Sequence, residues 1–363
     1  GTIEGDEETN ITNCTFDHCS AYNGGCVCSL SYKFVLEGST FINNVDDYKT
    51  VPKPENPAFE SDLCSFLYLN MNEKEVNPTI SNCTFMNNEL YIIEAQINGT
   101  LTMVDCVFTN YTSAKHVLEI SYVYSLGTIQ GAVYENCTFR YSNTETAVYG
   151  NKNNQTFIGC TFLENRFEGN GEGPAALHIT DDGYFSLNNC SFINNVGKSK
   201  GGAVLTNIKN IVAFDDVRFI GNSLAKADKN IYGGALYIDQ DIEGNWYPVP
   251  YAIKNCYFQD NSVPGEGSFG GAIHVKFVAD QYLVHTSPFT IEDCSFVGCS
   301  SYEAGGAISS GEGNWHSTKA SGDLLINNCN FTDCKARYGG GVFSFDGDDE
   351  RDEETNITNC IFD

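Results

Sequence analysis

Positive charge is scarce in this chain of 363 residues. It carries 20 Lys and Arg against 47 Asp and Glu, a formal net charge of −27. Arginine occurs only at Arg140, Arg166, Arg218, Arg337 and Arg351. Nucleic acid and anionic membrane surfaces both recruit Lys and Arg, so neither is an expected partner. No apolar run reaches the roughly 18 residues that a membrane-spanning helix needs, so no membrane insertion is expected in this segment. The 3.6-residue apolar period of an amphipathic helix is missing throughout. A secretory leader is also missing, but the chain opens inside a repeat, so this carries no argument about export. What is present is a hydrophobic fraction of 41%, enough for a substantial core, and an acidic surplus that suits divalent cations, cationic partners or solubility.

Cysteine is plentiful. Sixteen in a chain of this size point to an oxidising compartment. Ten N-x-S/T sequons add support. Asn13, Asn82, Asn136 and Asn189 coincide with turns. Asn10, Asn98, Asn110, Asn154, Asn330 and Asn356 are the better glycosylation candidates, with Asn98, Asn110 and Asn154 read as loop-like.

Most of the cysteines belong to one short motif, Asn/Asp/Gly-Cys-x-Phe. It runs from Asn13-Cys14-Thr15-Phe16 through Asn82–Phe85, Asp105–Phe108, Asn136–Phe139, Gly159–Phe162, Asn189–Phe192, Asn255–Phe258, Asp293–Phe296 and Asn328–Phe331 to Asn359–Phe362. Ser39 and Val217 replace Cys in two further copies that end at Phe41 and Phe219. Cys and Phe stand two apart, so on a strand both face one side, the core. The residue before Cys is always one that tolerates a left-handed backbone, which predicts a one-residue corner between strands. Three residues after Phe comes Asn, at Asn44, Asn88, Asn165, Asn195, Asn222 and Asn261, or Cys, at Cys19, Cys299 and Cys334. Gly-Gly-Ala-aliphatic follows at 201–204, 233–236, 270–273 and 305–308, with Gly339-Gly340-Gly341-Val342 as a variant. Paired glycines suit a sharp strand entry where backbone packs closely.

Three short strands per turn with corners between them make a coil, and stacked coils make an all-β, right-handed parallel β-helix. The count is about 11–12 rungs, with ladders of Cys, Phe and Asn. Leu63–Phe66 would be the twelfth. An antiparallel sandwich would not return one motif with the same polarity each time. The loops at 45–62, 223–232, 240–251, 262–269, 279–288 and 311–322 vary and would carry any binding specificity.

Repeated Phe-x-x-Asn with Gly-Gly-Ala-aliphatic resembles the double signature of the polymorphic outer membrane protein repeats of surface adhesins. The examples are Phe192–Asn195 with Gly201–Val204, Phe219–Asn222 with Gly233–Leu236, and Phe258–Asn261 with Gly270–Ile273. The resemblance is strong over residues 180–345; residues 14–165 carry only the first half. It implies a right-handed parallel β-helix at the cell surface, used in adhesion or as a scaffold. This chain lacks that family's outer-membrane barrel.

Residues 1–17 and 347–363 match at thirteen of seventeen positions, an offset of 346. Residues 1–346 therefore read as one period of a tandem module and 347–363 as the first rung of the next copy. The expected function is a non-enzymatic extracellular or cell-surface filament, stalk or scaffold, whose partners are further copies of itself head to tail. Neighbouring filaments, glycans or surface receptors are the further partners. An adhesin binding through its loops is the alternative, and a polysaccharide lyase or hydrolase the less favoured one. The enzyme reading needs clustered carboxylates on an outward strand face. With Val204, Leu236 and Ile273 facing inward, the outward column holds Leu205, Tyr237, His274, Ser309 and Phe343, with His178 one rung earlier. That is no acid pair, and no catalytic residue is assigned. His178, Tyr237 and His274 make the best carbohydrate-contact strip.

Inward cysteines are expected to be mostly free thiols. Cys299 and Cys334 share a corner column in consecutive rungs and are a disulfide candidate. Cys19, Cys26 and Cys28 are candidates for local disulfides, since their spacing with Cys14 and His18 is not that of a zinc site. No cofactor is expected. The acidic run at Asp346, Asp348 and Asp349 offers oxygens of the kind calcium takes but lacks an ordered calcium-loop spacing, so a solvated boundary loop is favoured.

Overall fold

The computed structural model describes residues 8–19, 26–29, 33–44, 67–75, 77–88, 93–112, 116–121, 131–151, 153–169, 171–181, 183–208, 212–225, 231–239, 251–276, 289–311, 323–344 and 355–363. Every strand pair among them is parallel. The strands fall into three long sheets of 12, 12 and 11 strands, and each strand's neighbour is its counterpart one coil away. This is a right-handed parallel β-helix. One coil shows the plan. Phe185–Asn188 lies in the first sheet, Ser191–Ile193 in the second and Val204–Ile208 in the third, and the next coil begins at Val212.

The first corner is as the motif predicts. Asn13, Asn82, Asp105, Asn136, Asn189, Asp216, Asn255, Asp293, Asn328 and Asn359, with Gly38 and Gly159, all have φ between 50 and 63°. Cys and Phe then enter the core. Phe41, Phe85, Phe108, Phe139, Phe162, Phe192, Phe219, Phe258 and Phe296 are fully buried. Their rings stack in one column at centroid spacings of 4.6 to 4.9 Å. Phe16 is half-buried at one end of the column.

A second left-handed corner follows two residues after Phe, and the sequence reading missed it. Asn43, Asn87, Asn110, Tyr141, Glu164, Asn194, Gly221, Asp260, Gly298 and Asp333 occupy it. The next side chain turns inward and builds the Asn ladder. Asn195 Oδ1 accepts the backbone N–H of Asn165 at 3.1 Å and its Nδ2 at 3.0 Å. Asn195 Nδ2 donates to the Phe162 carbonyl and to Asn222 Oδ1, each at 3.0 Å. Asn222 and Asn261 repeat the pattern.

The third corner explains the paired glycines separately. The first, at Gly201, Gly233, Gly270, Gly305 and Gly339, has φ between 58 and 68°. The second has no room for a side chain, since a Cβ on Gly202 would stand 1.9 Å from the Gly234 carbonyl oxygen.

Three expectations need correction. A fourth sheet of six two-residue strands joins the second and third corners from Asn143–Thr144 to Ser300–Ser301. Segments 223–232 and 262–269 are therefore partly strand rather than variable loop. No strand of the first or second sheet intervenes between the rungs of Gly38 and Asn82, because Lys33–Glu37 pairs directly with Thr79–Ser81. The Leu63–Phe66 stretch lies outside the described residues.

The third correction concerns cysteine. Cys299 and Cys334 are free thiols, as are Cys19 and Cys26. Cys299 Sγ lies 3.5 Å from the Phe258 carbonyl and Cys334 Sγ 3.6 Å from the Phe296 carbonyl, where the Asn rungs place their Nδ2. Each thiol thus lies against a carbonyl of the preceding rung, and the two thiols also interact with each other without a covalent bond. The side chain of Cys28 lies outside the described residues.

Candidate functional site

Alternation along the third-sheet strands fixes two outward columns. The first runs Glu119, Tyr149, His178, Leu205, Tyr237, His274, Ser309, Phe343. The second is polar. It runs Asn151, Thr180 and Asn207, and then pairs Asp239 with Lys276. The sequence reading had the register of the first column right from His178 onward. It stopped there and so missed that the column continues through Tyr149 to Glu119. It missed the second column altogether, although every member is polar.

The carbohydrate-contact strip does not survive as drawn. Tyr237 is 2% and His274 1% exposed. Ile231–Tyr232 and Ser268–Phe269 pair with each other and fold over them. The Tyr232 ring lies 4.7 Å from the His274 ring and 5.8 Å from that of Phe269. Leu205, Tyr232, Tyr237, Phe269 and Ala304 form a second apolar cluster on the outside of the coil. The cover comes from the residues immediately before the paired glycines, Tyr232 before Gly233 and Phe269 before Gly270, a column that the sequence reading did not follow.

Electrostatics under this cover follow from burial. His274 is pushed down to about 3, and its Nδ1 lies 2.7 Å from Ser309 Oγ. Burial raises the Tyr237 hydroxyl, and Asp239 beside it adds to the effect. Lys276 pairs with Asp239 at 3.2 Å. Both aromatic groups are therefore neutral near pH 7.

Tyr149, His178, Asn151 and Asn207 are half-buried, and the Tyr149 ring stacks on His116 at 4.6 Å. Burial holds His178 down at about 4. Asn151 Oδ1, Thr180 Oγ1 and Asn207 Oδ1 are buried and have no hydrogen-bond partner among the described residues.

The sequons divide by position. Asn10, Asn330 and Asn356 are exposed on strands. Asn110 is a left-handed corner rather than a loop, and its Nδ2 donates to Asn87 Oδ1 at 3.3 Å. Asn154 begins a strand, and its Oδ1 accepts the Tyr184 N–H at 2.8 Å. Asn98 ends the strand Ile93–Asn98, and its side chain lies outside the described residues. The acidic positions Asp346, Asp348 and Asp349 also lie outside them.

A family model described as a right-handed β-helix region matches residues 2–119. No curated protein and no solved structure matches the chain.

Proposed function

We propose that this chain is one period of a tandem β-helical scaffold at the cell surface or outside the cell, without enzymatic activity, that lengthens by stacking further copies of itself head to tail. The supporting observation is how the repeated sequence fits the columns. Thr355–Thr358 pairs with Leu324–Asn327, and Ile361–Phe362 pairs with Asn330–Phe331. This is the register that joins earlier rungs, and the Phe362 ring stacks 4.7 Å above Phe331. Residues 355–362 repeat the sequence of 9–16, so the pattern restarts in phase after eleven rungs of the first sheet.

The junction also accounts for the variant Gly-Gly-Gly. A Cβ on Gly341, where other rungs carry Ala, would stand 2.7 Å from the Phe362 ring. Exposed Asn10 and its repeat Asn356 support passage through a glycosylating compartment.

At about 4.8 Å per rung, eleven rungs advance roughly 50–55 Å. Electron microscopy of the native protein should show fibres or stalks with that axial repeat. Isolated short rods would refute the stacking. A surface adhesin like the polymorphic outer membrane proteins is the second reading, and the Gly-Gly-Ala corners favour it.

A further inference from the structure

We infer that the corner between the first and second sheets is a glycan-bearing ridge, with N-linked oligosaccharides on Asn82, Asn136 and Asn189. Each opens a sequon: Asn82-Cys83-Thr84, Asn136-Cys137-Thr138 and Asn189-Cys190-Ser191. The middle Cys is buried, the Asn is exposed, and the hydroxyl residue begins a second-sheet strand on its half-buried outer face. Asparagine is common at this corner, and its use divides in two. Where there is no sequon, the amide is committed. Asn255 Nδ2 donates to Asp215 Oδ1, Asn328 Nδ2 to Asp293 Oδ1 and Asn359 Nδ2 to Asn327 Oδ1. Where there is a sequon, Nδ2 of Asn82, Asn136 and Asn189 makes no hydrogen bond among the described residues. The column just before the corner agrees. One rung earlier it holds Val104 for Asn136 and Ile158 for Asn189, against Asp215 for Asn255 and Asn327 for Asn359. Asn13 has the same sequon, but it stands in the first described rung and has no earlier rung to donate to.

The corner constrains the backbone of these residues, not their amides. Their backbone N–H groups stay in the ladder, donating to the carbonyls of Val104, Ile158 and Asp215 at 3.0, 2.8 and 3.1 Å. Substitution at Nδ2 therefore costs the fold none of these bonds. The spacing suits a bulky group. Successive corners run Asn82, Asp105, Asn136, Gly159, Asn189, so acceptors fall on every second rung. At ~4.8 Å per rung they stand roughly 10 Å apart. Asn136 also leans over a residue without a side chain, since a Cβ on Gly159 would stand 2.5 Å from its Oδ1. The reaction is glycosyl transfer from a lipid-pyrophosphate-linked oligosaccharide. The Nδ2–C1 bond forms, the bond from C1 to the pyrophosphate oxygen breaks, the amide nitrogen loses one proton and the lipid pyrophosphate leaves. Sugars there make the ridge bulky and water-soluble. The inference rests on the export part of the proposed function and not on head-to-tail stacking.

The test is site mapping on the full chain from the cells that make it, with variants expressed in the same cells. Amidase release of the glycans in heavy-oxygen water turns each former acceptor into a labelled Asp, read by peptide mass spectrometry. Asn82, Asn136 and Asn189 should carry the label in most copies. The near-isosteric Thr138→Val removes the sequon hydroxyl. It should abolish the label at Asn136 and leave the melting temperature unchanged. Label at Asn330 with none at the three corners would overturn the inference and leave export standing. No label at any sequon would overturn both. Label at Asn136 that persists in Thr138→Val would report deamidation instead of a glycan, and would also overturn the inference.

Discussion

Replacing Asn195 with Ala isolates what the Asn ladder contributes. The side chain makes four hydrogen bonds. It accepts the Asn165 backbone N–H and Nδ2, and donates to the Phe162 carbonyl and to Asn222 Oδ1. Truncation leaves the buried Asn165 N–H with no acceptor, at about 1–3 kcal/mol. The other lost bonds add about 1 kcal/mol each, although Asn165 Nδ2 keeps the Phe139 carbonyl. The net cost should be about 3–5 kcal/mol. Asn195→Cys supplies the group that nature uses at Cys299 and Cys334. There the thiol lies against the preceding Phe carbonyl, and Cys299 Sγ is within 4.0 Å of Asn261 Nδ2. It should cost about 1–2 kcal/mol less than Ala. A stack of rungs opens locally, so native-state hydrogen exchange at the Asn165 amide is the direct reading, with urea denaturation beside it. A loss below about 1 kcal/mol for Asn195→Ala, or a Cys variant as unstable as the Ala variant, would refute the reasoning.

Phe192 stacks between Phe162 and Phe219 at 4.8 and 4.9 Å, and Phe192→Ala should destabilise by about 3–5 kcal/mol in urea melts. Gly234→Ala would put a Cβ 2.1 Å from the Gly271 carbonyl oxygen and should cost about 3 kcal/mol or more; Gly171→Ala, with nothing within 4 Å, should be neutral in the same assay. Between about pH 3 and the ordinary histidine value near 6.5, the unfolded chain protonates its His274 and the folded chain does not. Stability is therefore full above about pH 6.5 and falls on acidification, by about 2–3 kcal/mol from this group at pH 4.5. His274→Asn should flatten the slope of stability against pH over that range, and an unchanged slope would contradict the burial argument.

Legibility followed locality. The Cys-x-Phe pair and the residue before it depend only on strand alternation and on which side chains tolerate a left-handed backbone, so a single rung reveals them. The second corner obeys the same chemistry at Asn43, Asn87, Asn194, Gly221 and Asp260. His18, Tyr141 and Glu164 break the pattern there, and the Asn one residue later drew attention away from it. In the first half of the chain the third corner loses its glycines. Val117-Leu118, Ala147-Val148 and Ala176-Leu177 still hold the same inward positions as Ala203-Val204. Gly24-Gly25-Cys26-Val27 fits the signature with Cys in the Ala column, a match hidden by reading that segment as a cysteine cluster.

Cysteine shows why a count is a weaker guide than a column. The residue after the first corner directs its backbone N–H at the next rung. Ser39 Oγ accepts it from Cys14 at 3.1 Å, and Cys294 Sγ accepts it from Cys256 at 3.4 Å. The thiol serves here as a compact group that fills the core and also takes a hydrogen bond. The hydrogen bond with Cys256, together with burial, holds the Cys294 thiol above its usual range. The number of cysteines therefore grows with the number of rungs, whatever the redox state of the surroundings. Sixteen cysteines do not by themselves argue for an oxidising compartment in a chain of this kind. The argument for export passes instead to the exposed sequons Asn10, Asn330 and Asn356.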